Sequence, residues 1–153
     1  MPINAKKILT AALIGIVGCL LIAQFITIQR TNPALKGDLT APSQIKTILR
    51  RACYDCHSNE TRWPWYTYIA PVSWLVEYDV EQGRKELNFS EWGSYYPATR
   101  LRKLQWMDRA LREETMPPWT YRILHPDAGL TERDLMVLKQ WIEAETNSQP
   151  EKQ

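Results

Sequence analysis

Residues 53–57 read Cys-Tyr-Asp-Cys-His, so two thiols and an imidazole lie within one short stretch of the chain. Covalent haem attachment needs this C-x-x-C-H spacing. Thiols one helical turn apart form thioethers with the two vinyl groups of the porphyrin, and the adjacent histidine becomes the proximal iron ligand. The motif therefore predicts that Cys53 and Cys56 carry one haem c covalently and that His57 binds its iron.

Two other chemistries use similar residues. A structural zinc site needs four ligands, and the remaining cysteine and histidine are Cys19, in an apolar run, and His125. A thioredoxin-like dithiol is expected at the N-terminus of a helix that follows a strand, where the helix dipole lowers the thiol pKa. Cys53 instead follows a helical pattern with no strand pattern before it, so the sequence favours haem.

The second axial ligand of the iron is less tightly specified by the sequence. Met107 and Met136 lie within predicted helices, where methionine is more often a core residue than a ligand. Met116 lies between a helix end and two prolines, and this fixed backbone can hold a thioether toward the haem. We expect Met116 to be the distal ligand, with His125 or an open distal position as alternatives.

Aromatic residues are concentrated after His57 and after Met116, where flat side chains can line a porphyrin and exclude water. Tryptophans at helical positions are instead expected in the core. Arg51 and Arg62 flank the motif and are candidates to pair with the haem propionates. The aromatic residues predicted to line the ring are Trp63, Trp65, Tyr66, Tyr68, Trp119 and Tyr121.

Apolar residues recur at helical spacing in several segments, and no segment alternates as a strand does, so the fold class is predicted to be all-α. One helix begins near Ser43, a plausible N-cap, and leads into the motif. A second, starting at residue 72, is expected to end or kink near Gly83. A third runs from about residue 98 to 114 and stops before the prolines. Thr131 and Asp134 predict a capping box at the start of the last helix.

Residues 8–28 contain no charged side chain and, as a helix, span about 31 Å, which matches a bilayer core of about 30 Å. This run is longer than the apolar part of a signal peptide. Ile16–Cys19 resembles a lipoprotein cleavage box, so lipidation at Cys19 is an alternative to an uncleaved anchor. The predicted organisation is a short cytoplasmic N-terminus (1–7), transmembrane anchor (8–28), linker (29–42), haem-binding domain (43–146) and flexible tail (147–153).

The charge balance excludes one class of partner. Lys6 and Lys7 account for the excess of 19 basic over 17 acidic residues, so the chain after the apolar run has no net charge. A nucleic-acid-binding surface needs a basic excess to neutralise phosphates. We therefore expect no nucleic-acid partner.

Three stretches of the sequence resemble a bacterial haem-binding domain family: "CYDCHSNETRWPWYTYIAPVSWLV", "LNFSEW" and "MPPWTY…HPD". The resemblance covers about residues 40 to 145. The order of a helix into the motif, a methionine–proline loop and a final helix is also similar to class I cytochromes c. The resemblance implies a cytochrome c-like helical domain, haem binding by Cys53, Cys56 and His57, and Met116 as distal ligand.

Together these features predict a monohaem c-type cytochrome anchored in the bacterial inner membrane by a single span. Covalent c-type attachment takes place on the outer face of that membrane, so the haem domain is expected in the periplasm. The predicted role is that of a single-electron carrier, not an enzyme, which meets a redox partner transiently or as a subunit of a larger membrane complex. The alternative function is a haem-based sensor or peroxidase-like enzyme with an open distal site.

Overall fold

A computed structural model describes residues 5–148 of the protein. The predicted all-helical class is confirmed, because the described residues form helices and no strand. The predicted tail, 147–153, lies largely outside the described residues. The α-helices are α1 (Ala5–Ala23), α2 (Ser43–Ala52), α3 (Tyr54–His57), α4 (Val72–Glu86), α5 (Pro97–Arg112), α6 (Trp119–Leu124) and α7 (Glu132–Ser148), with short 3₁₀ helices at Trp65–Tyr68, Phe89–Ser94 and Pro126–Ala128.

Helix α1 is long and apolar enough to cross a membrane, with a mean hydropathy of 2.0 and no buried residue. It ends at Ala23, five residues before the predicted end of the span at residue 28. Gln24 explains the early end, because its side-chain amide bonds both backbone groups of Ala70, at 3.1 Å to the carbonyl oxygen and 3.0 Å from the N–H. The chain turns there instead of continuing as a helix.

The described chain divides into two compact units, which differ from the predicted domain boundaries. The first unit contains residues 5–31 together with Trp63–Asp79. The second contains Asn32–Arg62 and residues 80–148, and it holds the C-x-x-C-H motif. The aromatic segment after the motif therefore groups with the apolar helix, a pairing that the sequence does not predict.

The core of the second unit is built from the apolar faces of α2, α5 and α7. Apolar residues spaced three and four apart put one stripe of each helix on the inside. Tyr54 of α3 stacks on Phe89, with ring centroids 5.2 Å apart, and joins the motif to this core. The buried core residues are Leu39, Ile45, Ile48, Leu49, Tyr54, Phe89, Leu104, Leu111, Leu138, Trp141 and Ile142.

Part of the predicted linker, 29–42, is integral to the second unit. The N–H of Lys36 donates to the carbonyl of Ser90 and that of Leu39 to Phe89, each at 2.9 Å. Gly37 has a φ of +107°, and a Cβ there would lie 3.0 Å from the Cα of Gly93. Only glycine suits this conformation and this close approach. The segment thus differs from the free tether that its polar composition predicted.

The helix-capping predictions have different outcomes. The capping box is confirmed, since the N–H of Thr131 donates to Asp134 Oδ2 at 2.9 Å and the N–H of Asp134 donates to Thr131 Oγ1 at 3.1 Å. The N-cap predicted at Ser43 is wrong, because Ser43 is already the first residue of α2. The 3₁₀ helix Phe89–Ser94 is capped by Asn88, whose side chain accepts from the N–H of Ser90.

Candidate functional site

The motif lies on α3, which follows α2 after a break of one residue, Cys53. The N–H of Cys53 donates to Leu49 at 2.8 Å, and the N–H of His57 donates to Cys53 at 2.9 Å. These bonds carry the chain from one helix to the next without a loop. The two cysteines and the histidine are thereby held on one short turn whose Tyr54 is only 2% exposed.

The ring of His57 is oriented by two backbone carbonyls. Its Nδ1 lies 2.9 Å from the oxygen of Gly83 and 3.1 Å from the oxygen of Leu87. Both partners are acceptors, so Nδ1 must carry the proton and donate. Burial lowers the pKa of His57 despite these two bonds, which favours the neutral ring. A neutral ring protonated at Nδ1 has its lone pair on Nε2, as a metal-binding histidine requires.

Gly83 makes this arrangement possible. A Cβ at Gly83 would lie 2.5 Å from the carbonyl oxygen of Cys56, so α4 approaches the motif more closely than any other residue would allow. The predicted helix end or kink at Gly83 is wrong, because α4 continues from Val72 to Glu86. An isolated glycine in a helical pattern often marks a close packing contact, and this signal could have predicted the contact of Gly83 with the motif.

The thiols of Cys53 and Cys56 are not joined by a disulfide. Burial raises the pKa of the Cys53 thiol to about 12, and the neighbouring Cys56 adds to this. Within residues 5–148, no group of three or more histidine, cysteine, aspartate or glutamate side chains is arranged to hold a metal ion. The zinc alternative gains no support from this geometry.

Asp55, between the two cysteines, is a site residue that the sequence reasoning missed. It is 7% exposed, and its carboxylate accepts a 2.7 Å hydrogen bond from the hydroxyl of Tyr121. The backbone N–H and guanidinium of Arg62 donate to the same carboxylate at 3.1–3.2 Å. Burial and the bond to Asp55 raise the pKa of Tyr121. Asp55 thus joins the motif to the segment that follows Met116.

The arginines predicted to pair with haem propionates have partners within the protein. Arg62 pairs with Asp55 at 3.2 Å, and Arg51 pairs with Asp134 of the last helix at 2.8 Å. Neither arginine was expected to bridge elements of the fold. Their observed role is to connect the motif and the helix before it to neighbouring parts of the second unit.

Met116 is 43% exposed and lies just after α5. Met107 packs against the core as predicted. The core position expected for Met136 is wrong, since it is 56% exposed. Trp119 and Ile123, which follow Met116, are 67% and 65% exposed, so an apolar surface adjoins the segment that Tyr121 ties to the motif.

His125 interacts closely with Tyr121. The two rings stack with centroids 4.1 Å apart and planes 15° apart. Nδ1 of His125 donates to the carbonyl of Tyr121 at 3.2 Å. These contacts connect Tyr121 with His125 and with Asp55, and the choice between Met116 and His125 as distal ligand stays a prediction.

A buried polar network supports the residues that follow the motif. Ser58 and Asn59 are 0% and 3% exposed. Arg84 Nε donates to the carbonyl of Ser58 at 2.8 Å, and the N–H of Asn59 donates to Ser90 Oγ at 2.9 Å. Asn88 Nδ2 donates to Asn59 Oδ1 at 2.8 Å. These residues gave no signal in the sequence reasoning, because their partners are distant in the chain.

The aromatic residues differ in how far they are exposed. Trp141 is buried as predicted, whereas the core position expected for Trp106 is wrong because it is 46% exposed. Trp65 and Tyr68 belong to the first unit and are 73% and 61% exposed. Their role in lining a porphyrin stays a prediction.

Comparison with known proteins also indicates haem binding. A family model described as a haem-binding domain matches residues 18–144. The chain is also 27% identical over 101 residues to "Cytochrome c peroxidase Ccp" of Escherichia coli (strain K12). That match covers 62% of this chain and 21% of the relative, so the chain spans about a fifth of the length of that protein. No solved structure matches.

Proposed function

The chain belongs to the haem-binding domain family, and on that premise we propose that it is a membrane-anchored monohaem c-type cytochrome that transfers single electrons. Cys53 and Cys56 would hold the haem through two thioethers, and His57 would bind the iron. The C-x-x-C-H spacing supports this assignment.

The observation that carries the proposal is the ring geometry of His57. Two carbonyls fix the proton on Nδ1, and burial favours the neutral ring, so Nε2 is the nitrogen with a lone pair for a metal. A hydrogen bond to the far nitrogen also raises the basicity of a histidine ligand and fixes its orientation. The residues present therefore fit a c-type haem.

Bound haem would supply one-electron chemistry at its iron, and the protein would set the ligands and the surroundings. Cys56 and His57 lie on α3, and Cys53 directly precedes that helix. Asp55 holds Tyr121 and Arg62 against that helix. We propose that Met116, which lies between the end of α5 and two prolines, would hold the iron together with His57. A methionine–histidine pair would raise the reduction potential relative to two histidines.

We also propose that α1 is an uncleaved anchor and that the second unit lies in the periplasm. The helix has the length and apolarity of a span. Covalent haem attachment on the outer face of the inner membrane supports the orientation. The redox partner would dock weakly, as interfaces of electron carriers tend to be small, or stay bound as part of a membrane complex.

The test is the spectrum of the purified protein and of its methionine variants. Met116→Ala should abolish the methionine-to-iron charge-transfer band of the ferric protein and let the reduced protein bind carbon monoxide. Met136→Ala, which removes an exposed methionine of α7, is the matched control and should leave the spectrum unchanged. An unchanged spectrum in Met116→Ala would refute Met116 as ligand. A wild-type spectrum that lacks the band, with carbon monoxide binding gained only in His125→Ala, would assign His125 instead.

A peroxidase-like function is the second candidate, and the similarity to a cytochrome c peroxidase favours it. It requires a distal side open to a small ligand. Wild-type protein that lacks the charge-transfer band, binds carbon monoxide when reduced and turns over hydrogen peroxide would support the peroxidase and count against the electron carrier. Haem that is released from denatured protein would refute covalent attachment in either case.

A further inference from the structure

The segment after the motif has an unusual composition for the surface of a protein in water. Residues 63–76 contain three tryptophans and two tyrosines and no charged side chain. Several of the large side chains in and beside the segment are exposed: Trp65 at 73%, Leu75 at 64%, and Tyr68 and Tyr78 at 61% each. Exposed apolar patches of this kind mark binding surfaces for proteins or membranes.

The segment is fixed to the end of α1. The side-chain amide of Gln24 donates to the carbonyl of Ala70 at 3.1 Å and accepts from its N–H at 3.0 Å. The backbone N–H of Gln29 donates to Glu77 at 2.7 Å. Gln24 directly follows the last residue of α1, Ala23. If α1 spans the bilayer, these bonds hold the aromatic segment at the membrane surface.

Two residues of the segment lie beside the span itself. Pro71 and Trp74 line an apolar groove of about 570 Å³, and its other wall is formed by α1 residues from Ala12 to Ala23. Twelve helical residues extend about 18 Å along the axis. The side chains of Pro71 and Trp74 therefore lie beside α1.

The backbone of the segment is suited to this position. Unpaired N–H and C=O groups are costly in lipid, so irregular backbone near a bilayer must bond internally. The N–H groups of Thr67, Ile69 and Trp74 donate to carbonyls within the segment at 3.0–3.2 Å, and Gln24 satisfies both groups of Ala70. A glutamine at the end of an otherwise apolar run thus has a defined role.

Arg30 places a cation next to the aromatic surface. Its Nε donates to the carbonyl of Thr67 at 2.9 Å, and its guanidinium carbon lies 4.1 Å from the centroid of the Tyr68 ring. Tryptophan, tyrosine and arginine are the residues that proteins use at the headgroup level of a membrane. The bilayer is therefore the partner whose chemistry fits this surface.

We propose that residues 63–78 form an interfacial platform that rests in the lipid headgroup region beside α1. Trp65 and Leu75 would then contact acyl chains or headgroups. The inference rests on the anchoring role of α1 under the proposed function and adds a second membrane contact to it. It gives the aromatic segment a function other than lining a porphyrin.

The experiment is site-specific photo-crosslinking of the full chain with its haem, reconstituted in vesicles of phosphatidylcholine and phosphatidylglycerol. A benzophenone amino acid replaces Trp65 or Leu75 in the platform, Leu20 in the span, or Trp106, which is 46% exposed on α5. We expect lipid adducts at Trp65, Leu75 and Leu20 that exceed those at Trp106 several-fold in mass spectra of the protein. An unchanged haem spectrum verifies that each variant is folded.

The outcomes separate the platform from the anchor. Lipid adducts at Leu20 with only background at Trp65 and Leu75 would overturn the platform and leave the anchor intact. A lack of adducts at Leu20 would overturn the anchor, and the platform with it. Protein–protein adducts at Trp65 or Leu75 in place of lipid adducts would identify a second copy as the occupant, which also overturns the proposal.

Discussion

The carboxylate of Asp55 lies at one of the two variable positions of the C-x-x-C-H motif, yet it is buried and has three side-chain or backbone donors. A buried carboxylate is stable only if it is paired and hydrogen-bonded. Here Arg62 supplies the opposite charge and Tyr121 supplies a neutral donor. The residue that the motif leaves unspecified therefore connects the motif to the segment next to Met116.

Replacement of Tyr121 by phenylalanine removes the hydroxyl donated to Asp55 and keeps the ring that stacks on His125. Hydrogen bonds to charged groups contribute about 1.5–3 kcal/mol, so we expect a loss of this size in the free energy of unfolding, measured by chemical denaturation. Tyr96→Phe, at a tyrosine that is 81% exposed, is the matched control and should change stability little. Equal stability of the two variants would contradict a structural role for the Tyr121 hydroxyl.

The same variant bears on the distal ligand. If the Tyr121 bond holds the Met116 segment near the motif, Tyr121→Phe should also speed carbon monoxide binding to the reduced protein, whereas Tyr96→Phe should not. A change in stability with no change in carbon monoxide binding would restrict Asp55 and Tyr121 to folding.

At the residue scale, the sequence predicts candidate site residues where the residues concerned are neighbours in the chain. The prediction of Cys53, Cys56 and His57 as haem-binding residues rests on their spacing alone. The carbonyls that orient His57 could not be predicted, because Gly83 and Leu87 are 26 and 30 residues away and backbone groups leave no signature in side-chain patterns. The bond of Arg62 to Asp55 was not predicted because burial of that carboxylate depends on the fold, and pairing of Arg62 with a propionate stays a prediction.

The contact of α3 with α4 is the element-scale feature on which the site depends. It brings two carbonyls of the α4 region to Nδ1 of His57, and it requires a residue without a Cβ at Gly83. Alanine there would have its Cβ 2.5 Å from the backbone oxygen of Cys56, where no flexible side chain can move aside. The two helices would have to separate.

We predict that Gly83→Ala destabilises the protein by about 1–3 kcal/mol, the usual cost of overpacking, although alanine is the better helix former. The shift should also weaken the bonds to His57 and lower the fraction of chains with covalent haem, measured from the haem absorbance per protein. Gly18→Ala is the control, since a Cβ there meets nothing within 4 Å. Wild-type stability and haem content in Gly83→Ala would show that the close approach is not required.

At the element scale, helices with strong apolar periodicity were predicted well, and their ends less well. The capping box of Thr131 and Asp134 is a reciprocal local pattern and was found. The end of α1 was missed because it depends on Gln24 bonding Ala70, a residue 46 positions further along the chain. Another non-local contact places Leu39 in the core, because its N–H donates to the carbonyl of Phe89, although the composition around Leu39 predicted a linker.

At the scale of the whole molecule, the chain combines a unit built around an apolar helix with a unit that contains the motif. The aromatic, uncharged segment 63–76 lies in the sequence between the two parts of the second unit, but it belongs to the first unit. The sequence showed its composition but not its grouping, and composition alone supports either a porphyrin lining or a membrane contact. The bonds to the end of α1 favour the membrane contact for the exposed side chains.

Under the proposed membrane anchoring, the state of Cys19 would decide how the whole molecule is held. Cys19 lies within α1, and its side chain lines the groove beside Pro71 and Trp74. Cleavage before Cys19 would remove most of α1 and leave a span of five helical residues, up to Ala23. A bilayer core of about 30 Å needs about 20 residues, so anchoring would then depend on the lipid attached to Cys19.

We predict that the mature protein retains the residues before Cys19, as the proposed span of α1 across the bilayer requires. The intact mass of protein purified from membranes should include the residues before Cys19 and one haem, with no added acyl chains. Cys19→Ala should leave that protein in the membrane fraction after a high-pH wash, because alanine is as compatible with an apolar helix as cysteine. A wild-type mass that lacks the first 18 residues and carries acyl groups, together with loss of processing in Cys19→Ala, would identify a lipoprotein instead.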